Sequence, residues 1–398
     1  MIVSLIGTWM QSVSQPWLVL LLGGSPLDLG LVVALQFLPS MVLAPFGGVL
    51  ADRVDKRRVL YVTQAAAMVQ ALILFGLTVT DVVQIWHVMV LAFGLGIVNA
   101  VDMPVRQSFA PDLVPRQDLM NAIALNAASF NLGRVIGPAI AGVTLAIFGP
   151  AFNFGVNAVS YLAVLLALAR LDPAGITRPA PPAVPISVRA SLVEGLRFAV
   201  HTPGVLWPLV LLGGVSTFAM NFQTLLPLFA VDTLDLEADG YGALFAAMGV
   251  GTLIGSLSLA FVADRRPVLV MILGGGLGFV GLEALLGLSR TPLAAFPVIV
   301  VLGLCSMLMV NSINVMVQHR VPDALRGRVM ALYVTVFAGS TPIGGLLAGG
   351  ISQAWGAPAA LLIGAGLASL VLALVAWQLV VRGKAWADPT ASPMRAGT

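Results

Sequence analysis

Twelve stretches of this chain run apolar for about 20 residues or more, the length a helix needs to cross a bilayer. They lie near 1–22, 28–50, 59–79, 82–107, 119–147 and 151–170, and, after a break, near 204–230, 240–263, 268–288, 293–318, 328–354 and 358–381. A backbone in hydrocarbon must satisfy its own hydrogen bonds, so runs of this length predict an all-α integral membrane protein with twelve transmembrane helices. Of the 398 residues, 59% are apolar and 9% charged, where a soluble domain carries about 25% charged residues. The net charge of +3 calls for no nucleic-acid partner, because the cations sit in short connections between spans. Cys305, the only cysteine, lies inside an apolar run, which excludes an intrachain disulfide. Met1-Ile2-Val3 offers no basic n-region and its run continues as a span, so a cleaved signal peptide is not expected.

The charges also predict an orientation. Of 20 Lys and Arg, 18 fall in alternate connections or the tail: four in 51–58, two in 106–118, four in 170–201, two in 264–267, three in 318–328 and three after 381. Arg290 lies on the opposite side, and Arg134 lies within a span. Cytoplasmic loops collect Lys and Arg, so both termini and the even-numbered loops are expected in the cytoplasm.

The chain repeats itself. At an offset of 212 positions, Ala263-Asp264-Arg265 falls on Ala51-Asp52-Arg53, Gly242 on Gly30, Gln223 on Gln11, and Val310-Asn311 on Val98-Asn99. Beyond the fourth span the offset becomes 207, which lays Gly344 on Gly137, Gly349 on Gly142 and Gly356 on Gly149. A five-residue deletion in one loop accounts for the change. Two parallel six-helix halves are an arrangement from which transporters are built. The expected boundaries are 1–171 for the first half, 172–203 for a linker, 204–382 for the second half and 383–398 for a cytoplasmic tail. Pro173, Pro179, Pro181 and Pro182 make the start of the linker extended. Val188, Leu192, Leu196 and Ala199 then share one face of a helix expected to lie on the inner membrane surface.

One connection is denser in charge than the rest. Gly47-Gly48-Val49-Leu50-Ala51-Asp52-Arg53-Val54-Asp55-Lys56-Arg57-Arg58 ends one apolar run and begins the next, so it is read as an aqueous turn of about eight residues. It resembles the loop 2–3 signature of the major facilitator superfamily, G-x-x-x-D-R-x-x-G-R-[KR]. Gly48, Asp52, Arg53 and Arg57 match, while Asp55-Lys56 replaces the step that carries the family's second glycine. An ordinary basic loop is the plainer alternative. The resemblance implies a cytoplasmic gate of Gly48, Asp52, Arg53, Lys56 and Arg57 with Asp102 and Arg106, in which Asp102 meets Lys56 or Arg57. Asp102 and Arg106 are four apart and can instead pair with each other.

Polar residues recur at helical spacing in four spans. They are Ser4, Thr8, Gln11 and Gln15 in the first, and Asn99, Asp102 and Arg106 in the fourth. The seventh has Thr217, Asn221 and Thr224 with Gln223 close by, and the tenth has Asn311, Asn314 and Gln318. In the resembled fold these helices surround a central cavity, which makes Thr8, Gln11, Gln15, Asn99, Asn126, Arg134, Asn221, Gln223, Asn311 and Asn314 candidate lining. Hydrogen-bond glue between helices is the alternative for each. A lone cation at the position of Arg134 costs several kcal/mol, so a carboxylate, an anionic substrate or water is expected beside it. Gly133, Arg134, Gly137, Pro138 and Gly142 lie in a stretch that resembles the G-x-x-x-G-P-x-x-x-G helix 5 motif of facilitator antiporters. Glu283, in the ninth span, is read as structural, with proton carriage as the alternative. His87, His201 and His319 lack metal-ligand spacing, so no metal site is expected.

Neither Lys56 nor Lys384 completes the nucleotide-binding G-x-x-x-x-G-K-[ST], and no nucleophile elbow, HExxH or CxxC occurs. Neither enzymatic activity nor a cofactor is expected, which leaves an ion gradient as the energy source. Gly7-Thr8-Trp9-Met10-Gln11, Gly24-Ser25-Pro26, Asp102-Met103-Pro104-Val105-Arg106-Gln107 and Asn121-Ala122-Ile123-Ala124-Leu125-Asn126 resemble bacterial exporters of the enterobactin-exporter and macrolide-efflux type. That resemblance spans essentially the whole chain. It implies a monomer in the bacterial cytoplasmic (inner) membrane that exports a small amphipathic drug, siderophore or metabolite in exchange for protons, by alternating access. Import of a nutrient or metal chelate, and a non-transporting scaffold or sensor, are the alternatives.

Overall fold

The structure, a computed structural model, describes residues 2–53, 55–109, 113–114, 116–171, 188–262 and 268–381. These form α1 (Ile2–Leu21), α2 (Pro26–Arg53), α3 (Lys56–Val79), α4 (Ile85–Phe109), α5 (Leu119–Arg170) and α6 (Val188–His201). There follow α7 (Pro203–Phe218), α8 (Phe222–Asp232), α9 (Ala238–Val262), α10 (Val268–Leu288), α11 (Pro292–Arg320) and α12 (Asp323–Val381). Nine stretches among the described residues are long and apolar enough to cross a membrane, so this is a multi-pass membrane protein.

Helix ends follow local chemistry. α1 stops where Gly23 takes φ 73°, and Ser25 then opens α2. The Ser25 amide and hydroxyl both donate to Asp28 Oδ2, at 2.8 and 2.7 Å, and Pro26 fills the first helical position, where no N–H is needed. α5 and α12 are each two limbs joined without a loop. Their joints are Gly149 (φ 74°, ψ 177°) and Gly356 (φ 82°, ψ 164°), a conformation open essentially to glycine alone. Pro150 and Pro358 then restart the helices. The two joints are repeat-related positions.

Two expectations about helix boundaries need correction. The charged turn expected over 51–58 is mostly helical: α2 runs through Arg53, and α3 starts at Lys56. Asp55 sets that start, because its side chain caps the Arg58 amide at 3.2 Å. The seventh apolar run, expected as one helix over 204–230, is broken at 219–221. There the amides of Ala219 and Met220 both turn back to the Val215 carbonyl.

α1 packs on α5, α2 on α4 and α12, and α5 on α9, while α11 is flanked by α9 and α10. Close approaches between backbones draw the far end together, opposite the basic connections. A Cβ on Gly142 of α5 would stand 2.7 Å from the Cα of Gly242 of α9. One on Gly349 of α12 would stand 3.1 Å from the Cα of Gly30 of α2. Only glycine allows such contact. The internal repeat maps the first pair onto the second. Trp17 stacks on Tyr241 at the same end, with centroids 5.5 Å apart.

At the basic end, α6 lies against the start of α12. Ala199 is buried, the Gly195 backbone abuts Arg328, and Glu194 pairs with Arg328. Leu196, expected on the same face as Ala199, is exposed together with Val193 and Val200. Gly195 and Ala199 are small enough for close packing, and this turns the bulkier apolar residues outward.

Candidate functional site

At the basic end, α3 and α4 meet around Asp102. This carboxylate is 5% exposed and accepts four hydrogen bonds. Thr63 Oγ1 donates at 2.6 Å and Gln64 Nε2 at 2.8 Å, both to Oδ1. Arg106, one turn on, donates from Nε at 2.9 Å and from its terminal nitrogen at 2.6 Å, both to Oδ2. Such two-pronged geometry is the strong form of a charge pair. Asp102 was expected to meet Lys56 or Arg57, and here it pairs with Arg106 instead. Lys56 Nζ donates to the Ser108 carbonyl at 3.0 Å, near the end of α4. Arg57 donates to the carbonyls of Leu168 and Ala169, at 2.9 and 3.1 Å, at the end of α5. Helix C-termini leave carbonyls without intrahelical donors and carry partial negative charge, so both cations act as caps for neighbouring helices. The side chains of Gly48, Asp52 and Arg53 lie outside the described residues.

Above this cluster polar side chains bond α1 to α2, α3 and α5. Gln11 donates to Gln70 Oε1 at 3.1 Å and accepts from Asn157 Nδ2 at 2.7 Å. Asn153 Nδ2 donates to Ser14 Oγ at 2.7 Å, and its Oδ1 accepts from Thr144 at 2.6 Å. Gln15 donates to Gln36 at 3.3 Å. Gln11 and Gln15 are buried and bond across helices, whereas Thr8 and Asn99 are exposed. Thr63, Gln64, Gln70, Asn153 and Asn157 were not singled out in the sequence. Their signal was there, since each is a polar residue inside an apolar run, and Asn153 and Asn157 lie four apart.

Arg134 stands where α5 faces α9 and α11. A terminal guanidinium nitrogen lies 3.9 Å from Met307 Sδ, and the Arg134 carbonyl lines the close approach of Gly249. The glycines around it are packing positions. A Cβ on Gly133 would stand 3.1 Å from Leu5 Cβ, and one on Gly137 would stand 2.5 Å from Trp9 Cβ. The Pro138 carbonyl faces Gly242. Asn126, Arg134, Gln223, Asn311 and Asn314 are all half-buried. Asn314 accepts from Gln318 at 2.6 Å, one turn along α11.

Among the described residues, buried polar atoms without a partner occur on α3, at Gln64 Oε1 and Gln70 Nε2, and more often in the helices after α6. Asn221 is buried at the break between α7 and α8, with Nδ2 donating to the Thr217 carbonyl at 2.8 Å and Oδ1 unbonded. Thr224 Oγ1, Ser312 Oγ and both carboxyl oxygens of Glu283 also lack a partner among the described residues. No group of three or more His, Cys, Asp or Glu among those residues could hold a metal ion.

Over residues 1–394 the chain matches the family described as "Transmembrane secretion effector". It is 30% identical over 393 residues to the multidrug efflux pump Tap of Mycolicibacterium fortuitum, covering 93% of this chain and 91% of that protein. It is 29% identical over 350 residues to the enterobactin exporter EntS of Shigella boydii serotype 18, covering 88% and 82%. Among solved structures it is similar to the nucleoside transporter NupG, with a TM-score of 0.72 at 12% identity, covering 95% of this chain and 96% of that one. A bacterial homologue of the iron transporter ferroportin, in an inward-facing state, gives 0.70 at 15% identity, covering 94% and 96%. At such identities the structural likeness speaks for the fold. The helical membrane architecture and the full-length match together make this chain a transport protein rather than an enzyme, a member of the transmembrane secretion effector family within the major facilitator superfamily.

Proposed function

We propose that this protein exports a small amphipathic molecule across the bacterial inner membrane in exchange for protons, by alternating access. The relatives named as an efflux pump and an exporter support the direction. One structural observation carries the mechanism: the repeat-related contacts Gly142–Gly242 and Gly30–Gly349 seal the end opposite the basic connections. With the two limbs of α5 and of α12 taken as separate spans and α1 added, the nine apolar stretches become twelve. These divide into halves at 1–171 and 204–382, joined by a linker over 172–203, with a tail over 383–398. Each glycine contact joins one half to the other. The basic connections put the opposite end, and both termini, in the cytoplasm, so the glycine seam lies on the outer side.

Substrate then enters from the cytoplasm and meets Arg134, Asn126, Asn311 and Asn314 between the halves. Rocking of one half against the other opens the glycine seam and closes the basic end, where Asp52 and Arg53 act as the latch. Asp52→Asn slows transport and leaves membrane insertion intact. The protein works as a monomer, since each chain contains both halves.

Ethidium retention in efflux-deficient bacteria tests this reading, with the wild type and Arg134→Ala compared before and after a protonophore. Retention that falls with the wild type and recovers with both the mutation and the protonophore supports export. Accumulation above the empty-vector level identifies an importer. Unchanged retention across a broad dye and antibiotic panel, with insertion verified, overturns broad export.

A further inference from the structure

Glu283 of α10 is completely buried, and neither of its carboxyl oxygens has a hydrogen-bond partner among the described residues. It faces the place where the seventh apolar run stops being a helix. There α7 ends at Phe218 and α8 begins at Phe222, and Asn221 sends its side-chain amide back to the Thr217 carbonyl. The Phe218 carbonyl oxygen and Glu283 Oε1 border the same point. A Cβ on Gly364 would collide with the first and stand 3.7 Å from the second. One turn before Glu283, Phe279 sets its ring edge-on to Phe222, with centroids 6.2 Å apart, so aromatic rings pack beside the break.

Two acceptors thus border one glycine, neither with a side-chain donor among the described residues, and the carbonyl belongs to the negative end of a helix. No cation on the surrounding elements answers them. α7, α8 up to Val231, and 357–381 contain no ionisable side chain, and Glu283 is the only one on α10. On α11, Cys305 lies beside Gly278, while His319 and Arg320 stand at the far end. On α12, Asp323, Arg326 and Arg328 are confined to the first turns, and Tyr333 donates to the Val310 carbonyl.

We propose that Glu283 and the Phe218 carbonyl form a proton-binding site at the break in the seventh span, and that its proton is the one exchanged for substrate. The exchange clause rests on the antiport reading above. A proton supplies the missing donor, because the protonated carboxyl can donate to the carbonyl. A metal cation needs several oxygen ligands, and phenylalanine rings and a glycine stand beside the break. Discontinuous helices place coupling-ion sites in other transporters by the same physics. The break also links occupancy to conformation: swinging α8 against α7 moves the carbonyl and lets water reach Glu283.

Infrared difference spectra of the full-length protein in nanodiscs, recorded as pH is raised, test the site. The expected result is a protonated-carboxyl band that disappears with rising pH, is absent in Glu283→Gln, shifts in Glu283→Asp and persists in Asp102→Asn. A spectrum in which Glu283→Gln loses no band, or a band that ignores pH wherever the protein stays folded, overturns the site. Ethidium uptake into proteoliposomes under an imposed pH gradient tests the exchange clause. Gradient-driven uptake by the wild type that Glu283→Gln loses supports it, and equal uptake by both overturns it. A wild type with the band but no response to the gradient refutes the antiport reading and leaves the proton site standing.

Discussion

Asp102 and Glu283 are both buried carboxyls, and their surroundings are opposite. Asp102 accepts four hydrogen bonds from Thr63, Gln64 and Arg106. Glu283 accepts none from the described residues and borders another acceptor. The contrast extends outward from each. Around Asp102 the first helices are tied by Gln11, Gln70, Asn153 and Asn157, with Gln64 Oε1 and Gln70 Nε2 left over, whereas in the later helices Thr224 Oγ1 and Ser312 Oγ make no bond at all among the described residues. A buried polar group without a partner costs free energy, and a fully bonded one stiffens what it joins. The joint at Asp102 is therefore rigid, and the surroundings of Glu283 keep polar groups in reserve for a ligand, for water or for a second conformation.

Substitutions can break or sharpen this contrast, and thermal unfolding in detergent reads each of them. Asp102→Ala should have the largest effect, a loss of about 2–3 kcal/mol, because Arg106, Thr63 and Gln64 lose their common acceptor. Some solvent reaches Arg106, which keeps the loss below that of a fully buried pair. Thr63→Val should cost about 1.5 kcal/mol, since its hydroxyl bonds a charged group. A double-mutant cycle of Gln11→Leu and Asn157→Leu should show a coupling of about 1 kcal/mol. In the other region the same chemistry should do almost nothing. Thr224→Val removes an unbonded hydroxyl and should change stability by about 0.5 kcal/mol or less, with a gain the more natural sign. Glu283→Gln should likewise stay within about 0.5 kcal/mol. A Thr224→Val loss as large as that of Thr63→Val would erase the distinction between the two regions.

Much of the fold is legible in the residues. Apolar length marks the helices, and Ser25-Pro26 and Gly149-Pro150 mark their ends. The offset repeat pairs Gly149 with Gly356, and the structure puts the same backbone conformation at both. The site is less legible. Spacing placed Asp102 and Arg106 on one face and left two pairings open. The choice depended on how α3 turns toward α4, which brings Thr63 and Gln64 onto Oδ1 and leaves Oδ2 to Arg106. Lys56 and Arg57 met carbonyls instead, because α4 and α5 end within their reach. The break at 219–221 carried no Gly-Pro mark. It follows from backbone bonds that turn back on Val215 and from an asparagine that bonds its own helix.

By itself the sequence determined that this chain lives in a membrane, as apolar helices with repeat-related glycines at matching positions. Those properties follow from local composition and length, which act before any two helices meet. Only the tertiary structure decided which polar groups are bonded and which are left waiting. Helical periodicity specifies the face a residue occupies, but hydrogen bonds reach about 3 Å. Such precision comes from the rotation and depth of each helix against its neighbours. The same packing that surrounds Asp102 with donors sets Glu283 against a carbonyl and a bare glycine.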